Sequence, residues 1–378
     1  MIIKNAKVYT ENCIFEQGDI AIEADKFAST ASVNSDAFTS TEVVDASGLY
    51  AIPGLCDIHF HACDGKDFCD GTTEALSTIA HYEAMNGITS ICPATMTLEA
   101  TKLLNICKAA SEFNAASDEA ALVGINLEGP FLSYEKRGAQ NPKYLISPDA
   151  SLVRQLNEAS GGIVKLVSLA PELPDTTEFI KELKDEFIIS AAHSAADYET
   201  AKPAFDSGMR HVTHLYNAML PFSHRAPGLI GAAFDSKDCN VELICDGIHV
   251  NPTAVRMTFE LFGDDRIVLI SDTMMAAGLS DGAYTLGGQA VNVHGNLATL
   301  ADGTIAGSVT NLFSCMTSAV NMGIPLESAV KCATMNPTKA IGIYEKTGSI
   351  TPGKSANLIL MNPDLSLHSV FLRGQKIV

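Results

Sequence analysis

Two histidines separated by one residue, His59 and His61, sit in the stretch Cys56-Asp57-Ile58-His59-Phe60-His61, directly after an apolar run broken by Pro53-Gly54. In an extended strand residues i and i+2 share a face, so both imidazoles would point to one place with Phe60 turned away. Neutral imidazole is a common metal ligand, and a strand end holds it rigidly. With 10 histidines in 378 residues, chance alone gives about a quarter of such a pair, so the pattern gains weight only from partners elsewhere in the chain. Downstream lie Glu128, His193 and His214, one carboxylate and two imidazoles, a ligand set that leaves a coordination position open. His59 and His61 would hold a second ion, with Glu128 as the bridge. Asp272, in Ser271-Asp272-Thr273-Met274, is placed to take a proton from water and return it to a leaving amine. Taken singly, Glu128 reads as a solvated loop carboxylate, His193 as a helix-cap neighbour of Ser194 and Asp272 as a turn aspartate. It is their common phase along the chain that argues for metal chemistry.

That phase comes from the elements that must carry these groups. Between about residues 53 and 345 strand-like and helix-like segments alternate, the signature of parallel strands joined by helices. Strands are expected to end near His59, Pro93, Asn126, Leu169, Ala192, His214, Cys245 and Ser271. Helices are expected over Glu74 to Asn86, Ala100 to Ala116, Thr176 to Lys184 and Thr253 to Phe262. Eight such units predict an α/β fold, a (β/α)8 TIM-type barrel, whose chemistry belongs at the C-terminal strand ends. His59 and His61, Glu128, His193, His214, His249 and Asp272 all fall at or just after such ends. Both termini read as short strands instead: Ile2-Ile3, Lys7 to Tyr9, Asp19 to Ile22 and Val43-Val44, then Leu358 to Leu360 and Val370 to Leu372. The expectation is a small β-sandwich domain built from residues 1–52 and 346–378, flanking the barrel at 53–345.

Composition narrows the class further. At 47% hydrophobic and 18% charged the chain is globular. No apolar run approaches the roughly 20 residues of a membrane span, and the N-terminus lacks the layout of a secretory leader, so a cytoplasmic location without membrane association is expected. Ten cysteines without a Cys-x-x-Cys pair read as reduced, buried small hydrophobes. A formal charge of −19 argues against nucleic acid as a partner. It would also repel an anionic substrate unless local cations reverse the field. The stretch Gly348-Ser349-Ile350-Thr351-Pro352-Gly353-Lys354-Ser355 matches the spelling of a phosphate loop, but Pro352 and the strand-like segment after it are the wrong context. It predicts a turn entering the β domain.

Taken together, Pro53-Gly54-Leu55 followed by Asp57-Ile58-His59-Phe60-His61 resembles the amidohydrolase superfamily. Leu127-Glu128-Gly129-Pro130-Phe131, His214-Leu215-Tyr216-Asn217-Ala218-Met219, Arg225-Ala226-Pro227-Gly228 and Asp246-Gly247-Ile248-His249-Val250 resemble its branch of amino-sugar-phosphate deacetylases. The resemblance implies hydrolysis of an N-acetyl amide on a small phosphorylated amino sugar. It implies a divalent metal, zinc or iron, as one or two ions per chain, held by Glu128, His193 and His214, with Asp272 as acid and base. Asn217, Ala218, Arg225 and His249 would hold the sugar phosphate. The arginine's fixed fork of donors suits a phosphate, and His224-Arg225 would supply the local positive charge. In this family the arginine can serve a neighbouring subunit, so a homodimer is expected. Retention of both first-strand histidines favours two ions. Gln140, in Gly138-Ala139-Gln140-Asn141-Pro142, stands where some members carry a histidine near the substrate carbonyl. An amide can donate there but cannot titrate. Two rival readings stand beside this one: an amidohydrolase acting on a cyclic amide or a different acetylated sugar phosphate, and a non-catalytic relative.

Overall fold

The computed structural model describes residues 1–29 and 42–378. Eight parallel strands lie at Leu55–Asp57, Ile88–Ile91, Ile125–Leu127, Val164–Leu169, Ile188–Ala191, His211–Val212, Asn240–Ile244 and Ile267–Ile270. All eight end within two residues of the expected positions. Their side chains are buried on both faces, as in Ile125–Leu127 and Ile267–Ile270, which is why they read as unbroken apolar runs rather than alternating ones.

Strands three to eight pair in sequence order as one parallel sheet, and strands one and two pair in another. A parallel bridge between Ala94 and Asn126 joins the second strand's exit to the third. At the other seam the backbone N–H of Asp272 donates to the carbonyl of His59 at 2.9 Å. Cys56, Leu166, Ile244, Val268 and Ile270, drawn from four of the strands, pack into one buried cluster with Ile58 and Cys92, which follow the first and second strands directly.

Helices occupy the connections, and their starts follow local chemistry. Thr72, Asp149, Asp197 and Asn251 each accept a backbone N–H of the first turn through the side chain, satisfying donors that the helix cannot. Thr73–Met85, Thr176–Leu183 and Pro252–Phe262 match expectation within a residue. The helix expected to reach Ala116 stops at Glu112, because Phe113 turns extended. Three further helices, Leu312–Asn321, Leu326–Ala333 and Met335–Ala340, follow the last parallel strand. A three-stranded antiparallel sheet at Gly282–Leu286, Gln289–His294 and Leu297–Thr299 separates them from it.

Both termini enter one eight-stranded sheet. Tyr50–Pro53 pairs on one side with Ile2–Tyr9 and on the other with Leu358–Met361, so the C-terminal strands extend a sheet begun at the N-terminus. Ile3, Ile20, Ile22, Leu358, Leu360 and Phe371 form a core of its own. The segment from Gly348 to Ser355 contains no helix and leads into the strand at Leu358, as its proline requires. All ten cysteines are free and all but Cys13 are buried. No helix among the described residues is long and apolar enough to cross a membrane.

Candidate metal centre and active-site cavity

The C-terminal ends of these strands deliver four imidazoles and two carboxylates to one point. Glu128 lies at its centre. Its Oε1 is 3.1 Å from His193 Nε2, 3.0 Å from His214 Nε2 and 3.4 Å from His59 Nε2, while its Oε2 is 3.3 Å from His61 Nε2. Asp272 Oδ1 is 3.3 Å from His61 Nε2 and 3.8 Å from His59 Nε2. His193 and His214 approach each other at 3.1 Å through the same ring nitrogen. These groups, separated by up to about 210 residues of chain, meet because each follows a strand of one parallel array.

Backbone conformation aims them. His193, His214 and Asp272 have φ of 44°, 29° and 51°, in the left-handed region that residues with a Cβ seldom occupy. Ala218, with φ of 52°, joins them. Such clustering of uncommon backbone conformations marks a site whose geometry the surrounding fold imposes.

A divalent ion fits this donor set. His193 Nδ1 lies 2.9 Å from the carbonyl oxygen of Lys136, and His61 Nδ1 lies 3.2 Å from that of Ala94. A carbonyl only accepts, so each ring carries a proton on Nδ1, and Nε2 is the nitrogen that faces Glu128 and would exchange its own proton for an ion. His59 Nδ1 is likewise held by Glu242 Oε2 at 2.8 Å, and its Nε2 is buried with no hydrogen-bond partner among the described residues. Anchoring the far nitrogen in this way is how proteins orient metal-binding histidines. His59, Glu128 and His214 form one triad able to hold an ion, and His59, His61 and Asp272 another.

Electrostatics point the same way. Burial would strip the charge from the His59 and His61 rings, but Glu242 and Glu128 outweigh it at His59, and Asp272 and Glu128 at His61, whose pKa is held up at about 10. Burial also disfavours the carboxylates, yet the histidines keep Glu128 well below the usual range and Asp272 below it. Glu242 is brought down to about 2 by His59 and His211 against the same burial penalty. This field favours a positive charge among the rings.

The cluster floors a cavity of about 430 Å³. His61, Glu128, His193, His214 and Asp272 line it, as do Gln140, Asn217, Ala218 and His249, while His59 lies beneath, fully buried. The Gln140 amide donates to Glu128 Oε2 at 2.7 Å and accepts from the backbone N–H of Thr97 at 2.7 Å, so it braces the central carboxylate. His249 Nδ1 is 2.6 Å from Asp246 Oδ2, and this contact raises the imidazole despite burial. Besides His59 beneath the floor, Arg225 and its neighbour His224 are the expected residues that do not border the cavity of their own chain. Both sit in the exposed loop from Pro221 to Ala226.

Several participants escaped the reading of the sequence. Glu242 holds His59, the Nε2 of His211 at 3.0 Å and the backbone N–H of His214 at 3.0 Å. Asp57 accepts the His59 backbone N–H at 3.1 Å and hydrogen-bonds Ser271. Burial pushes its carboxyl up to about 7. Both had a signal, a carboxylate inside an otherwise apolar strand, since a charge buried there needs partners. Lys136, Arg137 and Asp302, which also border the cavity, sit in loops without a period to mark them.

A barrel-like array of parallel strands with histidines and carboxylates gathered at its C-terminal rim defines a class of hydrolase, and residues 50–377 match the amidohydrolase family model. The chain belongs to the amidohydrolase family. It is 35% identical to the N-acetylglucosamine-6-phosphate deacetylase of Bacillus subtilis over 99% of this chain and 96% of that protein. It is 32% identical to the N-acetylgalactosamine-6-phosphate deacetylase of Escherichia coli O157:H7 over 85% and 86%. The solved N-acetyl-D-glucosamine-6-phosphate deacetylase of Mycobacterium smegmatis superposes with a TM-score of 0.91 at 28% identity, covering 100% of both chains.

Proposed function

We propose that this chain is a metal-dependent hydrolase that removes the N-acetyl group from N-acetylglucosamine-6-phosphate, giving glucosamine-6-phosphate and acetate. The observation that carries this reading is the meeting of Glu128, His193 and His214 at 3.0–3.1 Å beside Asp272 on the floor of a cavity. The strands close into an eight-stranded barrel over residues 53–345, and a β-sandwich from 1–52 and 346–378 flanks it. Glu128, His193 and His214 would hold one ion, zinc or iron, and His59 and His61, together with Glu128, would hold a second. An ion held there supplies Lewis-acid chemistry, making water a better nucleophile at neutral pH and the amide carbonyl a better electrophile.

The chain's own groups do the rest. Asp272 takes one proton from the attacking water and delivers it to the amide nitrogen as the C–N bond breaks, so that the amine leaves together with acetic acid, which ionises to acetate. Gln140 keeps Glu128 oriented, and its second amide N–H, which meets only the weak acceptor Met96 Sδ at 3.7 Å, can turn to the acetyl oxygen. Asn217, Ala218 and His249 receive the sugar and its phosphate. Arg225 reaches the phosphate of a neighbouring subunit, which makes the homodimer functional. Its exposure on a loop outside its own cavity supports that assignment.

The galactosamine epimer is the second reading, favoured by the similarity to the E. coli O157:H7 enzyme. Acetate release from both epimeric 6-phosphates and from unphosphorylated N-acetylglucosamine, with metal content measured on the same sample, decides. Fastest release from N-acetylglucosamine-6-phosphate is expected. Faster turnover of the galactosamine epimer would replace the first reading with the second. No acetate from any of them, with metal bound, would remove both.

A further inference from the structure

The cavity must attract a dianion although the protein carries a formal charge of −19. Of the residues lining it, only Lys136 and Arg137 bring a fixed positive charge. Both are half-buried, and neither forms an ion pair with a carboxylate among the described residues. Arg137 is held in place without using up its donors. One Nη donates to the carbonyl of Tyr134 at 2.7 Å, and the guanidinium lies 4.4 Å from the Tyr134 ring centroid. The remaining N–H groups of its fork have no partner among the described residues, and a pre-positioned fork is what a phosphate binds through paired hydrogen bonds. Two carboxylates, Glu135 and Asp302, share the rim. Asp302 is kept ionised mainly by hydrogen bonds from Thr304 and in small part by the charge of Arg137.

The same loop reaches the metal ligands. The Lys136 carbonyl fixes His193 at 2.9 Å, and a Cβ at Gly138 would lie 3.3 Å from the His193 ring and 3.9 Å from Ala218. Two residues further on, Gln140 braces Glu128. A phosphate engaged by Lys136 and Arg137 would thus bear on the backbone that orients two ligands.

We propose that Lys136 and Arg137 form a subsite that adds a second cationic contact to the substrate's phosphate, from the chain's own cavity wall and beside the Arg225 of a neighbouring subunit, and so strengthens the preference for phosphorylated over unphosphorylated acetylamino sugars. The proposal rests on the hydrolase reading for its substrate, and on the charge of the cavity wall for its location. Losing a charge-assisted contact of this kind costs about 10- to 100-fold in affinity.

The test uses the metal-loaded, full-length protein. Arg137→Ala is expected to raise KM for N-acetylglucosamine-6-phosphate by about 10- to 100-fold, and to reduce the preference over N-acetylglucosamine by the same factor. Lys136→Ala should do so less and the double variant more, while Arg137→Lys recovers part of the loss. Equal losses on both sugars at unchanged metal content would mean a merely structural loop and overturn the subsite, as would no loss at all. Calorimetric binding of glucosamine-6-phosphate against glucosamine separates this from the hydrolase reading. If the wild type released no acetate yet bound the phosphorylated amine through Arg137, the hydrolase reading would fall and the subsite would stand. Binding indifferent to Arg137→Ala would remove the subsite whatever the turnover.

Discussion

Asp272 is pulled in two directions. Burial favours its neutral form, and the hydrogen bond from His61 together with the charges of His59, His61 and His214 favours the ionised one and prevails. An ionised carboxylate in that setting can accept a proton from water, whereas an amide of the same shape cannot. Asp272→Asn should therefore lower kcat by about 10² to 10⁴ with metal content and melting temperature near those of the wild type, read by elemental analysis and calorimetry. Retained turnover would take the role from this residue. His249 offers a second check, because Asp246 raises its imidazole and is itself lowered by it. The group with the raised pKa stabilises the fold below its unfolded value of about 6.5 and loses that contribution as pH rises through the higher folded one. The lowered carboxylate contributes above about 4 and loses it as pH falls through its folded value. The pair is thus worth most between those limits. In Asp246→Asn, ring resonances of His249 should titrate at a lower pH than in the wild type; an unchanged midpoint would show that the contact does not set it. Reading residues alone found the histidines and carboxylates that gather on the cavity floor, because histidine and glutamate at strand ends stand out, and missed Lys136, Arg137 and Asp302 on its wall. It passed over Glu242 and Asp57, whose work is to hold His59 from below, and which looked like exceptions in apolar runs.

Eight strand ends were legible at the level of elements because a strand buried on both faces leaves an uninterrupted apolar run, and Gly, Pro or a polar group follows where the site begins. The hairpin strands from Gly282 to Thr299 were not, since exposed and buried residues alternate with many polar ones in between, as in Gln289–His294. The late helices escaped for a different reason: the eight-unit pattern was already complete before Leu312. One joint between elements makes a sharp stability test. Gly54 links Tyr50–Pro53 of the terminal sheet to the first parallel strand, and its backbone N–H donates to the carbonyl of Asn357. A Cβ there would stand 2.3 Å from Oγ1 and 2.5 Å from Cγ2 of the buried Thr89. Gly54→Ala should destabilise by about 1–3 kcal/mol through overpacking, measured by denaturant unfolding. Adding Thr89→Ala removes the two nearest atoms and should recover part of that loss. A double variant no better than the sum of the singles would show that the clash is relieved by backbone movement instead.

Across the whole molecule, the metal centre is also a structural debt. Glu128, Asp272 and Glu242 bring three carboxylates into a buried volume shared with five imidazoles, those of His59, His61, His193, His211 and His214, and a cation bound there would help to balance them. A ligand that binds only the folded chain at about a thousand times its Kd adds about 4 kcal/mol. For a chain of this length that is a drop of roughly 5 °C in Tm on its removal. The pH dependence of that drop has a definite sign. Without the ion, protons on His59 and His61 take its place, and both rings have raised pKa values, His61 at about 10. Their stabilising contribution is complete below about 6.5 and is lost as pH rises toward the folded value, while a metal competes better as protons leave. Chelation should therefore lower Tm more at pH 9 than at pH 6, and adding back a divalent metal should restore it at both. Scanning calorimetry at the two pH values, with and without chelator, reads this directly. A Tm indifferent to chelator on a sample shown to have lost its metal would mean that the cluster holds itself together without a cation, and that the convergence of these side chains is not a site for one.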